Sequence, residues 1–170
     1  ERQVKEYFGV RHVWFVSSGK AALYLILLAL KSLSSRRRVV IPAYTCFSVP
    51  SAIVKAGLEV ALCDIDPETF DFEPELLQRT IDADTLCVIP NHLFGIPSDM
   101  DRIIHLCRDR RVFVVEDAAQ AMGGRYHGRL LGTMGDAGFF SLGRGKNITC
   151  GSGGIVVTNS GPIEDAIAAQ

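Results

Sequence analysis

The chain has 170 residues, of which 48% are hydrophobic and 22% are charged, and its formal net charge at pH 7 is −1. This composition is typical of a folded globular chain and is too apolar for a disordered one. Because 18 basic residues nearly balance 19 acidic ones, the charge gives no reason to expect nucleic acid or an anionic membrane as a partner.

Short β-branched runs alternate along the chain with longer segments of helical period. The predicted strands are His12–Val16, Val39–Pro42, Glu59–Cys63, Thr85–Pro90, Val112–Glu116, Ala137–Ser141 and Ile155–Thr158. The predicted helices are Lys20–Leu33, Phe47–Ala56, Glu73–Ile81, Ser98–Arg110 and Ile163–Gln170. Such alternation predicts an α/β fold, a mostly parallel sheet of seven strands with helices on both faces. Only a glycine- and arginine-rich loop and a turn of serine and glycine separate the sixth strand from its neighbours, so we expect one antiparallel strand.

Membrane and metal sites have little support in the sequence. The longest apolar run, Ala21–Leu30, is too short to span a bilayer, and the first residues show no secretion signal, so we expect a cytoplasmic protein. Five cysteines without a Cys-x-x-Cys pair favour buried free thiols over disulfides or zinc ligands. These are Cys46, Cys63, Cys87, Cys107 and Cys150. The four histidines share no ligand spacing, so no metal site is expected.

Several polar residues follow predicted strands, where ligands gather in open sheets of this kind. Asp117 follows the fifth strand, Ser141 closes the sixth, and Lys146 lies in the loop after it. Ser18 and Gly19 begin a helix just after the first strand, so the free amides of that helix start could bind an anion. The sequence therefore places an anion site, a carboxylate and a lysine on one edge of the sheet.

Each of these residues also has a simpler explanation. Ser18 could be a helix cap without any further role, Asp117 could cap the residues after it, and Lys146 could be a solvated lysine. Together, however, they suit pyridoxal phosphate, whose aldehyde is held covalently by a lysine and whose pyridinium nitrogen needs an acid. Nucleotide loops fit less well, because Asn147 follows the Gly-Lys pair where Ser or Thr is required, and no Gly-x-Gly-x-x-Gly follows the first strand.

The segments "SSGKAAL", "IPAYTCFSVPSAIVKAG", "NHLFGIPSDMDRI", "VVEDAAQAMGG" and "GDAGFFSLGRGKNITCGSGGIVVTN" occur in this order over nearly the whole chain. They resemble the DegT/DnrJ/StrS family of pyridoxal-phosphate sugar aminotransferases. The most specific part is the block from 116 to 159, where the acid, glutamine, serine and lysine all have the family's spacing. The resemblance implies the large domain of the aspartate-aminotransferase-like fold, known as fold type I.

The resemblance also implies roles for individual residues. Lys146 would hold the cofactor covalently and move a proton during the reaction, and Asp117 would keep the pyridine nitrogen protonated. Gln120 would pack against the cofactor ring near its hydroxyl. The phosphate would be bound by Ser141, by the amides of Gly19 and Lys20, and by Ser18 beside them.

The chain departs from the family pattern at three places. Lys20 stands where members commonly have threonine, and its cation could pair with the phosphate or point to solvent. Cys46 stands where many members place an aromatic residue that stacks on the ring, with Phe47 next to it. Gly145 precedes the lysine where most members have threonine, which makes the loop more flexible.

Family members continue into the rest of the large domain and a smaller C-terminal domain, so we expect residues 1–170 to be the cofactor-binding portion of a longer protein. The implied reaction moves an amino group, usually from glutamate, to a keto group of a nucleotide-linked sugar, for polysaccharide or glycosylated-metabolite biosynthesis. The implied assembly is a homodimer. Two alternatives stay open, a sugar dehydratase, in which histidine replaces the lysine, and a non-catalytic or regulatory protein that keeps the fold.

Overall fold

Seven of the nine strands form one mixed sheet in the computed structural model, which describes residues 1–170. The strands are β1 (His12–Val16), β2 (Arg38–Pro42), β3 (Glu59–Cys63), β4 (Thr85–Val88), β5 (Phe113–Asp117), β6 (Arg125–Tyr126), β7 (Arg129–Leu130), β8 (Ala137–Ser141) and β9 (Gly154–Thr158). The sheet order is β1-β9-β8-β5-β4-β2-β3, and β6 and β7 form a separate hairpin. Strand β9 is antiparallel to both neighbours, whereas the other pairs are parallel. The predicted α/β sheet with one antiparallel strand is confirmed.

Helices cover both faces of this sheet. They are α1 (Arg2–Phe8), α2 (Gly19–Leu33), α3 (Ser48–Lys55), α4 (Pro74–Thr80), α5 (Met100–Arg110) and α6 (Gly161–Ala168). Helices α2, α3 and α6 bury their apolar sides on one face, and α4 and α5 pack on half of the other. Helix α1 and the β6–β7 hairpin cover the remaining half. Successive side chains of each strand therefore point into the apolar cores on opposite faces of the sheet, as strand geometry requires.

The boundaries of β1, β3 and β8 are those predicted, and the other predicted elements differ by at most two residues at either end. Strand β4 ends at Val88 rather than Pro90, which lacks the N–H needed for pairing. Strand β5 extends to Asp117, which pairs in register with Phe139, so the acid is the last strand residue and does not follow the strand. Helix α1 and the β6–β7 hairpin had no sequence prediction, because seven-residue helices and two-residue strands carry too little periodicity.

Candidate functional site

All eight predicted site residues line one cavity of about 210 Å³ at the carboxyl edge of the sheet. They are Ser18, Gly19, Lys20, Cys46, Asp117, Gln120, Ser141 and Lys146. Strands β1, β5 and β8 run parallel to one another, so the segments after them meet at this edge. Six further residues complete the lining: Leu23, Ser48, Val49, Asn91, Ala119 and Phe139.

The start of helix α2 forms one wall of the cavity. Ser18 is the N-cap, with extended backbone, and its Oγ accepts a hydrogen bond from the Ala21 N–H at 3.1 Å. Ser18 therefore caps its helix, as the simpler explanation of this residue predicted. The amides of Gly19 and Lys20 belong to the first turn and have no acceptor within the helix, so they can bind an anion.

Glycine lets this helix start approach the ends of two strands. A Cβ at Gly19 would lie 2.8 Å from the Ser141 Cβ, and a Cβ at Gly154 would lie 2.4 Å from the Ser18 carbonyl oxygen. Either methyl group would push the helix away from β8 or β9. The small residues thus bring the helix amides and the Ser141 hydroxyl to the same part of the cavity.

Asp117 is a buried carboxylate, 4% exposed, and lies on the sheet face that α2 covers. Its Oδ1 accepts a hydrogen bond from the Ala119 N–H at 3.0 Å, so it also caps the residues after the strand. Burial raises the pKa of Asp117 to about 6, although the Ala119 hydrogen bond and the Lys146 ammonium counteract part of this. A cationic partner in the cavity would therefore interact strongly with the carboxylate.

Lys146 reaches the cavity from the loop after β8. Its side chain is half-buried, and its N–H donates to the Gly143 carbonyl at 3.3 Å, which forms a tight turn. Gly145 has φ +77°, a backbone conformation that a residue with a Cβ rarely adopts. The glycine that departs from the family pattern is thus needed for the turn that presents the lysine.

Cys46 and Gln120 lie on the walls of the cavity. Cys46 is exposed, and its Sγ accepts a hydrogen bond from the Ser48 hydroxyl at 3.1 Å. Phe47 is 82% exposed and does not line the cavity. The Cys46 thiol therefore borders the cavity, whereas the Phe47 ring does not. The Gln120 Oε1 accepts a hydrogen bond from the Phe94 N–H at 3.2 Å, which fixes that side chain at the cavity edge.

The sequence analysis missed Asn91 and the buried pair beneath it. Asn91 lines the cavity, and its Nδ2 donates to the Thr45 hydroxyl at 3.0 Å. His92 and Glu116 have no exposed side-chain surface, and their Nε2 and Oε2 atoms lie 3.0 Å apart. A polar Asn-His pair just after an apolar strand, and an acid within another strand, were the signals that could have revealed them.

The cysteines divide into two groups. Cys63, Cys87 and Cys107 are buried free thiols, as expected, and burial raises the pKa of each. Cys46 and Cys150 are also free, but the expected burial was wrong for them, because they lie in loops at the carboxyl edge and are exposed. No three histidine, cysteine or acidic side chains are grouped to hold a metal ion. None of the helices combines the length and the apolar character needed to cross a membrane.

Comparisons with known proteins agree on one family. The family model of the DegT/DnrJ/EryC1/StrS aminotransferases matches residues 1–169. The chain is 37% identical over 165 residues to GDP-perosamine synthase of Escherichia coli O157:H7, with 97% of this chain and 45% of that protein covered.

Solved structures give the same result. The aminotransferase from Psychrobacter cryohalolentis superposes with a TM-score of 0.93 and 30% identity, over 99% of this chain and 43% of that one. The E. coli GDP-4-keto-6-deoxy-D-mannose-3-dehydratase, solved with bound hydrated PLP, superposes with a TM-score of 0.91 and 27% identity, over 99% and 44% of the two chains. The chain thus spans less than half the length of the proteins it matches.

Proposed function

The chain belongs to the DegT/DnrJ/EryC1/StrS aminotransferase family, and on that premise we propose that it binds pyridoxal 5′-phosphate and supplies the cofactor-binding part of a sugar aminotransferase. The observation that carries this proposal is the shared cavity of Asp117, Lys146 and the start of helix α2. A carboxylate, a lysine and an anion-binding helix start are the three groups that this cofactor requires.

The charged groups and hydrogen-bond donors of the cavity support the cofactor assignment. The missing Cβ at Gly19 lets the Ser141 side chain lie against the start of α2, so its hydroxyl and the first-turn amides can bind the same anion. Asp117 is a buried acid, and a cationic neighbour such as a ring N–H would stabilise its charged form. When bound, the cofactor supplies an electron-accepting ring that stabilises negative charge on the substrate carbon.

The residues of the chain have distinct roles in this proposal. The Lys146 Nζ would hold the cofactor covalently and would afterwards be free to move a proton at the reacting carbon. Asp117 accepts the ring N–H and keeps that proton in place. Gln120 and Cys46, which both line the cavity, would contact the ring of the bound cofactor.

The phosphate is assigned to the start of α2 and the end of β8. The amides of Gly19 and Lys20 donate to the phosphate oxygens, as do the hydroxyls of Ser18 and Ser141. The Lys20 ammonium adds a positive charge where members commonly have threonine. These five groups belong to the start of α2 and the end of β8, whereas Asp117 and Lys146 would serve the ring.

We assign residues 1–170 to the large domain, of which they hold the cofactor part, and the complete reaction to the longer protein. Its substrates are a nucleotide-linked keto sugar and an amino-acid donor, for which glutamate is our first choice. The GDP-perosamine synthase relative supports the nucleotide-sugar class. We further propose a cytoplasmic homodimer that acts in polysaccharide or glycosylated-metabolite biosynthesis.

Two other functions compete with this one. The dehydratase among the structural neighbours favours a sugar dehydratase, but histidine replaces the lysine in those family members, whereas this chain has Lys146. A non-catalytic protein that keeps the fold would not need Asp117, Gln120, Ser141 and Lys146 together around one cavity. Aminotransfer is therefore the better supported function.

Borohydride reduction with pyridoxal phosphate, followed by peptide mapping, tests the cofactor assignment. We expect one label, on Lys146, and none in Lys146→Ala. Lys20→Ala is the matched control, because it removes the other lysine of the same cavity and should keep the label. A label that moves to Lys20 or persists in Lys146→Ala would refute the assignment.

The reaction is tested on the longer protein by its half-reaction with an amino donor. Glutamate should convert the bound cofactor to its amino form and release 2-oxoglutarate. A dehydratase that acts on a keto sugar also needs the amino form, because an aldehyde cannot condense with a ketone, so the sugar product decides: an aminotransferase leaves an amino group on it, whereas a dehydratase removes water and leaves no nitrogen. Absence of both label and half-reaction in the longer protein would favour the non-catalytic alternative.

A further inference from the structure

His92 and Glu116 form a buried pair whose hydrogen bonds are complete. The Ser98 N–H donates to the His92 Nδ1 at 3.2 Å, so that nitrogen is an acceptor and the proton lies on Nε2. The Nε2–H then donates to the Glu116 Oε2 at 3.0 Å. His92 thus links two chain segments through its two ring nitrogens.

Glu116 binds a third segment through backbone amides. Its Oε2 accepts from the Gly132 N–H at 2.8 Å, and its Oε1 accepts from the Met134 and Gly135 N–H groups at 2.5 and 2.7 Å. Four N–H donors therefore surround the carboxylate and occupy both of its oxygens. The residues it binds lead directly into β8, the strand that ends at Ser141.

The pair lies directly beneath the cavity. Glu116 and Asp117 are consecutive strand residues, so their side chains point to opposite faces of the sheet. The Asp117 N–H donates to the Pro90 carbonyl at 2.9 Å, and the Asp117 carbonyl accepts from the His92 N–H at 3.0 Å. The segment that carries Asn91 is therefore joined to the end of β5 by two backbone hydrogen bonds and by the His92–Glu116 link.

Stability alone does not explain this arrangement. A buried ion pair or buried polar pair gives little net stability compared with well-packed apolar side chains of similar volume. It does give directional constraints, because each hydrogen bond fixes a distance and an angle between the segments. The three segments that it joins carry Asp117, Asn91 and Ser141, all of which line the cavity.

We propose that His92 and Glu116 are positioning residues, which hold Asp117 and Asn91 in place in the cavity through the hydrogen bond from His92 Nε2–H to Glu116. The proposal rests on the function proposed above, in which Asp117 accepts the ring N–H of the cofactor. Neither residue touches the cavity, so both act through the backbone between Pro90 and Asp117.

Two substitutions of His92 separate its two hydrogen bonds. In His92→Gln, the amide Nε2 can still donate to Glu116, but nothing replaces the Nδ1 acceptor. In His92→Asn, the shorter amide can still accept from the Ser98 N–H, but it cannot reach Glu116. Both variants remove the imidazole, so a general effect of lost packing is common to the two.

The first readout needs no cofactor. The Asp117 side-chain carboxyl is titrated by ¹³C NMR in folded chain, with Lys146 and His92 as the nearby titratable groups. We expect His92→Gln to keep the wild-type midpoint. In His92→Asn, loosening of the strand end admits water, and the midpoint should fall by about one pH unit towards the ordinary value of an aspartate.

The second readout is the dissociation constant of pyridoxal phosphate, measured by absorbance. His92→Asn should bind the cofactor roughly tenfold more weakly, whereas His92→Gln should stay within about threefold of wild type. If wild type does not bind pyridoxal phosphate, the proposed function fails, but the cofactor-free titration still tests the positioning role.

Equal midpoints in the two folded variants, both at the wild-type value, would overturn the proposal and leave the pair a purely structural role. If His92→Asn does not fold, Glu116→Asp replaces it, because it keeps the charge but is one methylene shorter. A wild-type midpoint in folded Glu116→Asp would overturn the proposal in the same way.

Discussion

The two edges of the sheet each carry an aspartate that accepts one backbone hydrogen bond. At the carboxyl edge, the Asp117 Oδ1 accepts from Ala119, and at the amino edge the Asp136 Oδ2 accepts from the Val114 N–H at 2.8 Å. Burial raises the pKa of both. The cleft beside Asp136 measures about 410 Å³, roughly twice the volume of the cavity beside Asp117.

The helix ends distinguish the two edges. The cleft beside Asp136 is lined by Cys107 and Arg108, near the end of α5, where the helix dipole is negative. The cavity beside Asp117 is lined by the start of α2, where the dipole is positive and the first amides are free. The crossover helices run antiparallel to the parallel strands, so their starts lie at the carboxyl edge, and only α6, which follows the antiparallel strand β9, begins at the amino edge. Neither the volume of the cavity nor the raised pKa of its aspartate is therefore enough to identify the site.

Replacement of each aspartate by asparagine gives the largest expected effect. Both pKa values are raised on folding, so the native state binds protons more tightly than the unfolded state. The stability associated with Asp117 is therefore greatest below pH 4 and is lost as the pH rises towards 6. Asp117→Asn should stabilise the cofactor-free chain at pH 8 by up to about 3 kcal/mol, measured by urea unfolding.

The two aspartate variants should differ in their affinity for pyridoxal phosphate. Asp136→Asn should change stability in the same direction as Asp117→Asn but leave the affinity for pyridoxal phosphate unchanged. Asp117→Asn should lower that affinity about tenfold or more, because a charge-assisted hydrogen bond is lost. Equal cofactor affinities in the two variants would contradict the assignment of Asp117. A gain in stability that persists at pH 4 would contradict its buried charge.

Two glycines at helix starts offer the next test. A Cβ at Gly19 would meet Ser141, whereas a Cβ at Gly161, the first residue of α6, has no atom within 4 Å. Gly19→Ala should destabilise the chain by roughly 1–3 kcal/mol through overpacking and weaken cofactor binding. Gly161→Ala should be neutral or stabilising by up to about 1 kcal/mol, because it reduces the freedom of the unfolded chain. Thermal unfolding and cofactor titration measure both effects.

The exposed cysteines provide a smaller effect. Cys46 lines the cavity, whereas Cys150 lies outside it. Pyridoxal phosphate at about ten times its dissociation constant should slow the reaction of Cys46 with a thiol reagent about tenfold, since only the free fraction reacts. Cys150 should react at its original rate, and the three buried thiols should react only after unfolding. Equal protection of Cys46 and Cys150 would indicate a general conformational change instead of contact.

The elements of the sheet were predictable because each has a local signal. β-Branched runs predicted all seven strands within two residues, and the loops between β8 and β9 predicted the antiparallel strand. The placement of Asp117, Ser141 and Lys146 on one edge followed from the parallel topology alone. Their roles came from the resemblance to a family, because the same residues could equally cap or stay solvated.

Other features depend on tertiary contacts that no local pattern records. The His92–Glu116 pair joins residues 24 positions apart, and each residue alone has no periodic signal. The close approach of Gly19 to Ser141 depends on how α2 lies against β8. Likewise, the exclusion of Phe47 from the cavity follows from its position before α3, where its side chain points outward, 82% exposed.

Lys20 gives the smallest expected effect, and it tests which end of the cofactor the helix start binds. Its side chain is exposed, and a cation in the first turn opposes the helix dipole. Lys20→Ala should therefore stabilise the cofactor-free chain slightly, by about 0.3–1 kcal/mol. It should weaken pyridoxal phosphate binding by about twofold to fivefold, the range of an exposed ion pair, and high salt should reduce the difference. Pyridoxal, which lacks the phosphate, should bind both proteins equally. An equal loss for pyridoxal would mean that Lys20 contacts the ring side of the cavity, and no loss for either compound would mean that its cation remains in solvent.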